Sequence, residues 1–180
     1  MTISYRISTA SANDAVALAE IARRTFYDAF AADNEAHNIG EYIEASFNEQ
    51  RVREELSDTS NTFLLAYRDD ETAPVGYAKL RVGGVRGYAL PENSIEIERM
   101  YADQAATGQG IGSALMQACL DAAASAGFEN VWLGVWEHNA GGIRFYERWG
   151  FREFGKKVFY MGTDPQNDLI LSRALQSDDV

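Results

Sequence analysis

The sequence predicts a mixed α/β fold, one sheet of about seven strands flanked by helices. Runs of apolar residues with strand and helical periods alternate along the chain, as they do where both element types share one core. At 180 residues, 46% of them hydrophobic, the chain has the length of one domain with a sizeable core. A glycine loop, Thr107-Gly108-Gln109-Gly110-Ile111-Gly112-Ser113, stands between a strand-like and a helix-like run.

The first element is a short strand, Tyr5 to Ser8. Ser11 or Asn13 then offers an N-cap to a helix with apolar residues at Val16, Leu18, Ala19, Ile21, Ala22, Phe26 and Phe30. Asp33-Asn34 breaks that period. A second helical patch holds Ile39, Tyr42, Ile43 and Phe47, and a third runs from Glu49 to Leu56. Thr62 to Arg68 and Val75 to Val82 read as a hairpin closed by the polar turn Asp69-Asp70-Glu71, followed by a loop from Gly83 to Pro91.

Ile95 to Ala102 alternates, with Ile95, Ile97, Arg99 and Tyr101 opposing Glu96, Glu98 and Met100. Two glutamates on one strand face predict contact with a wet site. Helix 110–126 places Ile111, Leu115, Ala118 and Ala122 on one face and stops at Gly127. A strand from Val131 to Trp136, a helix from Gly141 to Trp149 and strands Val158–Met161 and Asp168–Ser172 follow, the last two joined by a loop containing Pro165. One domain is expected over residues 1–175, with 176–180 a frayed tail.

Gly108, Gly110 and Gly112 expose backbone N–H groups with little side-chain obstruction. A helix start adds free N–H donors and the positive end of its dipole, so the segment predicts a cradle for a pyrophosphate. No Lys-Ser or Lys-Thr pair follows the glycines, which excludes a P-loop. Gly108-x-Gly110-x-x-Ser113 nearly fits the dinucleotide fingerprint, but it lies past the midpoint of the chain, with little sequence left to complete such a domain. Taken alone, the loop could equally be a plain structural turn.

A second segment follows, Asn139-Ala140-Gly141-Gly142-Ile143-Arg144-Phe145-Tyr146-Glu147-Arg148-Trp149-Gly150-Phe151. Together the two segments resemble the GCN5-related N-acetyltransferase (GNAT) superfamily, whose members move an acetyl group from acetyl-CoA to an amine. Residues 107–112 match its Arg/Gln-x-x-Gly-x-Gly/Ala motif except at Thr107. Glu98-Arg99-Met100-Tyr101, Val131 to Asn139 and Met161-Gly162-Thr163-Asp164 resemble the bacterial spermidine/spermine N-acetyltransferase branch, strongly over 95–175 and weakly before it. Thr25-Phe26-Tyr27, Tyr42-Ile43 and Phe47 fit that branch more loosely.

The resemblance implies a mostly antiparallel sheet, splayed between the strands at 95–102 and 130–136, and acetyl-CoA as co-substrate. It assigns the pyrophosphate to Gly108, Gly110 and Gly112 with the amides of Gln109, Ile111 and Ser113. Thr107 has less reach than Arg or Gln, which predicts weaker phosphate contact but not loss of the site. The main chain of Met100, Tyr101 and Ala102 would pair with the pantetheine like an added strand, and Asn139 would bind its amides. Tyr146, about two helical turns from Asn139 and so expected on the same face, would be the general acid for the thiolate. Without the resemblance Tyr146 would read as an ordinary half-buried tyrosine.

Glu98 is the candidate general base and Glu96 the alternative; either could instead pair with Arg99 or an arginine of the next strand. His138 reads more readily as a solvated or core-bonded histidine than as a catalyst. Asp28, Asp33, Glu35, Glu41 and Glu44 could form an acidic mouth for a polyamine, though most such residues form a solvated helix face. Tyr27, Tyr42 and Phe47 read as core rather than a cation box, and Trp132 and Trp136 as packing residues on one strand face.

The formal charge of −11 argues against nucleic acid as main partner and is compatible with a cationic acceptor. Cys119, the single cysteine, cannot form an intramolecular disulfide and is expected on the inner helix face. No Cys/His cluster has metal-ligand spacing, and no apolar run has the length of a membrane span. With no secretion pattern at Met1 to Arg6, the expected compartment is the cytosol. A homodimer is common in the superfamily, so the resemblance allows one. Three readings stay open: a polyamine N-acetyltransferase, an N-acetyltransferase for another small amine, amino acid or protein N-terminus, and a CoA-binding module without turnover.

Overall fold

The computed structural model describes residues 4–69, 71–84 and 87–175. The expected tail at 176–180, part of the loop after Val82 and Asp70 of the polar turn lie outside them. In chain order the elements are β1 (Tyr5–Thr9), α1 (Ala15–Phe30), α2 (Ala36–Ser46), α3 (Glu49–Ser57), β2 (Asn61–Arg68), β3 (Gly76–Val82), β4 (Ser94–Ala102), α4 (Ile111–Ser125), β5 (Asn130–Trp136), α5 (Ala140–Arg148), β6 (Arg152–Met161) and β7 (Asp164–Ala174). Single 3₁₀ turns precede α1 and α4. The seven strands are ordered β1-β2-β3-β4-β5-β7-β6. β4 and β5 are parallel, and β1–β2, β5–β7 and β6–β7 are antiparallel.

Two compact units divide the chain, residues 1–80 with 99–119 and residues 81–98 with 120–180. In the first, a capping box follows β1: the Ser11 side chain accepts from the Asn13 amide and Asp14 accepts from the Ser11 amide. Its core joins Leu18, Ile21, Ile39, Leu65, Tyr77, Ile111 and Leu115. Aromatic rings knit α1 and α2 to the strands, with Phe26 4.7 Å from Tyr42, 5.3 Å from Phe47 and 6.1 Å from Tyr101. Tyr27 departs from expectation. It is 54% exposed, because the residue after buried Phe26 lies about 100° further round the helix.

Glu55 of α3 is buried beneath three cations, Arg99 at 2.8 Å, Lys79 at 3.2 Å and Arg51 at 3.5 Å. The buried stripe of α4 differs from the one expected. It runs through Ile111, Leu115, Met116, Cys119, Leu120 and Ala123, leaving Ala118 and Ala122 half-buried. The larger side chains win the core-facing positions, since more apolar area is removed from water there.

The second unit buries Ile95, Ile97, Val131, Leu133, Val135, Phe151 and Ile170. Its last two strands are longer than expected, and Pro165 lies inside β7 rather than in a loop. The connection is the two-residue turn Gly162-Thr163. Gly162 has φ +62° and Thr163 a negative φ, the pattern of a II′ turn, which matches strand twist. Pro165 is tolerated because β5 reaches only to Asp168, so its missing N–H costs no bond on that side. Among the described residues no helix is long and apolar enough to cross a membrane.

Candidate functional site

The glycine loop is built on the end of β4. Asp103 donates its amide to Val75 O at 2.8 Å, and a 3₁₀ turn, Gln104–Ala106, carries the chain to Thr107. Gly108 and Gly110 take φ +78° and +95°, a region that disfavours any side chain. A Cβ on either would meet nothing within 4 Å, so the space above both is open to a ligand. The first helical bond of α4 runs from Ala114 N to Gly110 O at 3.0 Å. The N–H groups of Ile111, Gly112 and Ser113 therefore precede any intrahelical partner and stand at the positive end of a 15-residue helix.

Two loop amides are already engaged: Thr107 N with Gln104 O at 3.2 Å and Gln109 N with Ala106 O at 3.3 Å. That leaves the amides of Gly108 and residues 110–113 as the candidate donors to an anion. Thr107 Oγ1 donates to Asp103 O at 3.3 Å, turned inward as a brace.

Three residues that sequence reasoning missed hold this loop. Arg24 of α1 grips Asp103 through two bonds of 2.8 and 2.9 Å. Arg68 of β2 donates to Gln109 Oε1 at 3.2 Å and Ala105 O at 3.4 Å. Gly76 of β3 seats the helix: a Cβ there would lie 2.9 Å from Ile111 Cδ1, 3.0 Å from Tyr101 O and 3.2 Å from Leu115 Cδ1. No local pattern signals these residues, because each acts on a segment distant in sequence. Gly76→Val is expected to destabilise the protein by about 1–3 kcal/mol through overpacking and to weaken coenzyme binding. Thermal denaturation and a binding titration check both effects.

Met100, Tyr101 and Ala102 are half-buried at the end of β4. The ladder from β4 to β5 runs only from Ser94↔Asn130 to Ile97↔Leu133, while β4 continues to Ala102. Tyr101 has its ring 6.0 Å from that of Tyr77.

In the second unit Asn139 caps α5. Its Oδ1 accepts from Gly142 N at 2.9 Å, and its backbone is non-helical. Asn139 thus stands at the N-cap, directly before the helix and seven positions ahead of Tyr146. Its carboxamide oxygen serves the cap. Gly142 permits the cap, since a Cβ there would lie 2.7 Å from Asn139 Nδ2. Tyr146 is half-buried, its ring 5.4 Å from Phe145 and 6.0 Å from Phe151. Its carbonyl accepts from Phe151 N at 3.1 Å, closing the helix at Gly150 with φ +84°.

The two carboxylates of β4 share one guanidinium. Arg81 of β3 meets Glu96 Oε2 at 2.6 Å and Glu98 Oε1 at 2.5 Å. Arg99, next to Glu98 and on the opposite face of the strand, pairs with Glu55. Glu96 is nearly fully buried, whereas the Glu98 side chain keeps 19% exposure.

His138 is exposed, 5.2 Å from the Trp136 ring. Asp28, Asp33, Glu35, Glu41 and Glu44 are all exposed. Cys119 is fully buried and its thiol is pushed up to about 12 by burial, which leaves it inert as a nucleophile. Among the described residues no group of three or more His, Cys, Asp or Glu could hold a metal ion.

Residues 16–151 match the model of the acetyltransferase (GNAT) family. An uncharacterized N-acetyltransferase of Lactobacillus delbrueckii subsp. lactis is 32% identical over 94% of this chain and 97% of its own. One from Mycobacterium tuberculosis is 33% identical over 90% and 98%. Among solved structures, the PaiA N-acetyltransferase of Thermoplasma acidophilum in complex with coenzyme A aligns with a TM-score of 0.76 at 22% identity, covering 96% of this chain and 99% of that one. The ribosomal-protein-S18-alanine N-acetyltransferase of Escherichia coli aligns at 0.70 and 18%, covering 96% and 95%. At those identities the two structures speak to the fold alone.

Proposed function

Because the chain belongs to the acetyltransferase (GNAT) family, we propose that it transfers acetyl from acetyl-CoA directly to a primary amine, with a polyamine as acceptor. The observation that carries the coenzyme half is the start of α4: two glycines at positive φ under open space, followed by helix amides with no intrahelical partner. These donors hold the pyrophosphate, and the main chain of Met100, Tyr101 and Ala102 pairs with the pantetheine.

In the reaction the amine attacks the thioester carbon, the carbonyl oxygen takes the negative charge, and the C–S bond breaks as the tetrahedral intermediate collapses. Tyr146 gives its phenolic proton to the departing thiolate. Glu98 takes the proton lost by the amine, directly or through water, since it is the more exposed of the two carboxylates on Arg81. Support for a polyamine comes from the net charge of −11, the exposed carboxylates on α1 and α2, and the spermidine/spermine-like segments around Glu98 and Met161.

Thiol release over an amine panel tests this reading, with mass spectrometry of the products. Acetylated spermidine or spermine is the expected product. Acetylation of only an amino acid or a protein N-terminus would replace the acceptor, and coenzyme binding without amine-stimulated release would replace the chemistry. Glu98→Gln is expected to lower the rate most at low pH, where the amine is protonated and needs a base. A uniform loss across pH would remove Glu98 from that role.

A further inference from the structure

Lys157 of β6 lies in an unusual place. A Cβ on Gly134 of β5 would come within 2.9 Å of the Lys157 Nζ and 3.1 Å of Asp168 Oδ2, so ammonium and carboxylate both lie over this glycine. The register explains the meeting. Glu96 pairs with Trp132, Trp136 with Asp168, and Asp168 with Lys157, so strand alternation puts all of them and Gly134 on one sheet face. Only glycine at 134 leaves room for the lysine stem to cross. Lys157 Nζ then reaches Glu96 Oε1 at 3.5 Å and stands 5.3 Å from the centre of the Trp132 ring.

We propose that Lys157 and Asp168 are positioning residues for the base carboxylates: Lys157, bonded to Glu96 and in the field of Asp168 across Gly134, sets the proton affinity of the Glu96–Glu98 pair held on Arg81. This rests on the acetyl-transfer reading above. Glu96 has one oxygen on Arg81 and the other on Lys157, so it responds to how Lys157 is shared. Glu98 shares Arg81 with it and responds through that guanidinium.

The charged groups facing Asp168 are Lys157 from β6 and Glu96 from β4, with Glu98 and Arg81 beyond them and His138 past Trp136. Lys156, Glu137 and Asn167 bond to one another separately. Burial pushes the Asp168 carboxyl up to about 6, with Glu96 adding to the rise and Lys157 opposing it. Asp168 thus takes up a proton just below neutrality, and when it does Lys157 belongs to Glu96 alone.

Two substitutions on one hairpin then have opposite effects. Lys157→Met keeps the stem over Gly134 but removes the cation, so the acidic limb of the kcat/KM profile moves to higher pH by about one unit. Asp168→Asn removes the competing anion, so the limb moves lower. Purely structural roles would reduce activity without moving the limb in opposite directions. Carbon-13 carboxyl titration of the protein without coenzyme is the second measurement. The Asp168 signal is expected to titrate near 6 in the unmodified chain, and higher in Lys157→Met. No limb movement, movement of both in one direction, or an Asp168 midpoint at the ordinary value of about 3.9 overturns the proposal. Should the unmodified protein release no thiol, the transfer reading fails, while the carboxyl titration still decides whether Lys157 links the two carboxylates.

Discussion

Tyr146→Phe is expected to lower turnover by about 100- to 10,000-fold while leaving acetyl-CoA affinity nearly unchanged. The ring of Tyr146 is half-buried beside Phe145 and Phe151, and phenylalanine preserves those contacts. Only the hydroxyl is lost. A thiolate leaving without a proton donor must be released as an anion, and the barrier rises by the part of that cost the phenol removes. Steady-state kinetics with a coenzyme titration on the same protein separates the two effects. Unchanged turnover would mean that another group, or water, protonates the sulfur. A parallel loss of affinity would make Tyr146 a binding residue.

Gly110→Val is expected to weaken acetyl-CoA binding by about 10- to 100-fold, the loss of one or two charge-assisted amide contacts. At φ +95° a β-branched residue is strained by about 1–3 kcal/mol, so the loop relaxes toward negative φ and re-aims the amides that follow. The side chain would also project into the open space above the loop. Thermal denaturation distinguishes this local effect from global unfolding. Gly110 lies on the surface, so the melting transition is expected to stay cooperative. Gly40, exposed on α2 with nothing within 4 Å of a Cβ, is a control expected to leave binding unchanged as Gly40→Ala.

Much of the architecture was legible because periodicity reports burial directly. Phe26, Ile39, Leu65, Ile97 and Val131 all occupy positions their spacing predicts. The failures have physical causes. Pro165 suggested a loop, yet a proline at the start of a strand beyond the reach of its second neighbour breaks no bond. The spacing of Asn139 from Tyr146 does not reveal that its short carboxamide caps the helix. Tyr27 reads as core by its residue type, but one residue of helix is enough to turn a ring into water.

The backbone conformation of the loop was visible as a run of glycines, because backbone freedom is written in residue identity. What braces it was not. Arg24, Arg68 and Gly76 act across long sequence separations, and single residues carry no mark of a distant partner. The same holds for Arg81, which makes Glu96 and Glu98 one ionic unit instead of two independent candidates. Lys157 crossing over Gly134 depends on a register that hydrophobic pattern alone does not specify.

Main-chain donors at the start of α4 are proposed to hold the coenzyme diphosphate. Calorimetric titration of acetyl-CoA into the folded protein tests this most directly, with Gly110→Val titrated alongside. Saturable binding of one coenzyme per chain, weakened by the valine, is the predicted result. No heat of binding from a protein that still melts cooperatively, or equal affinity in the two proteins, would contradict it.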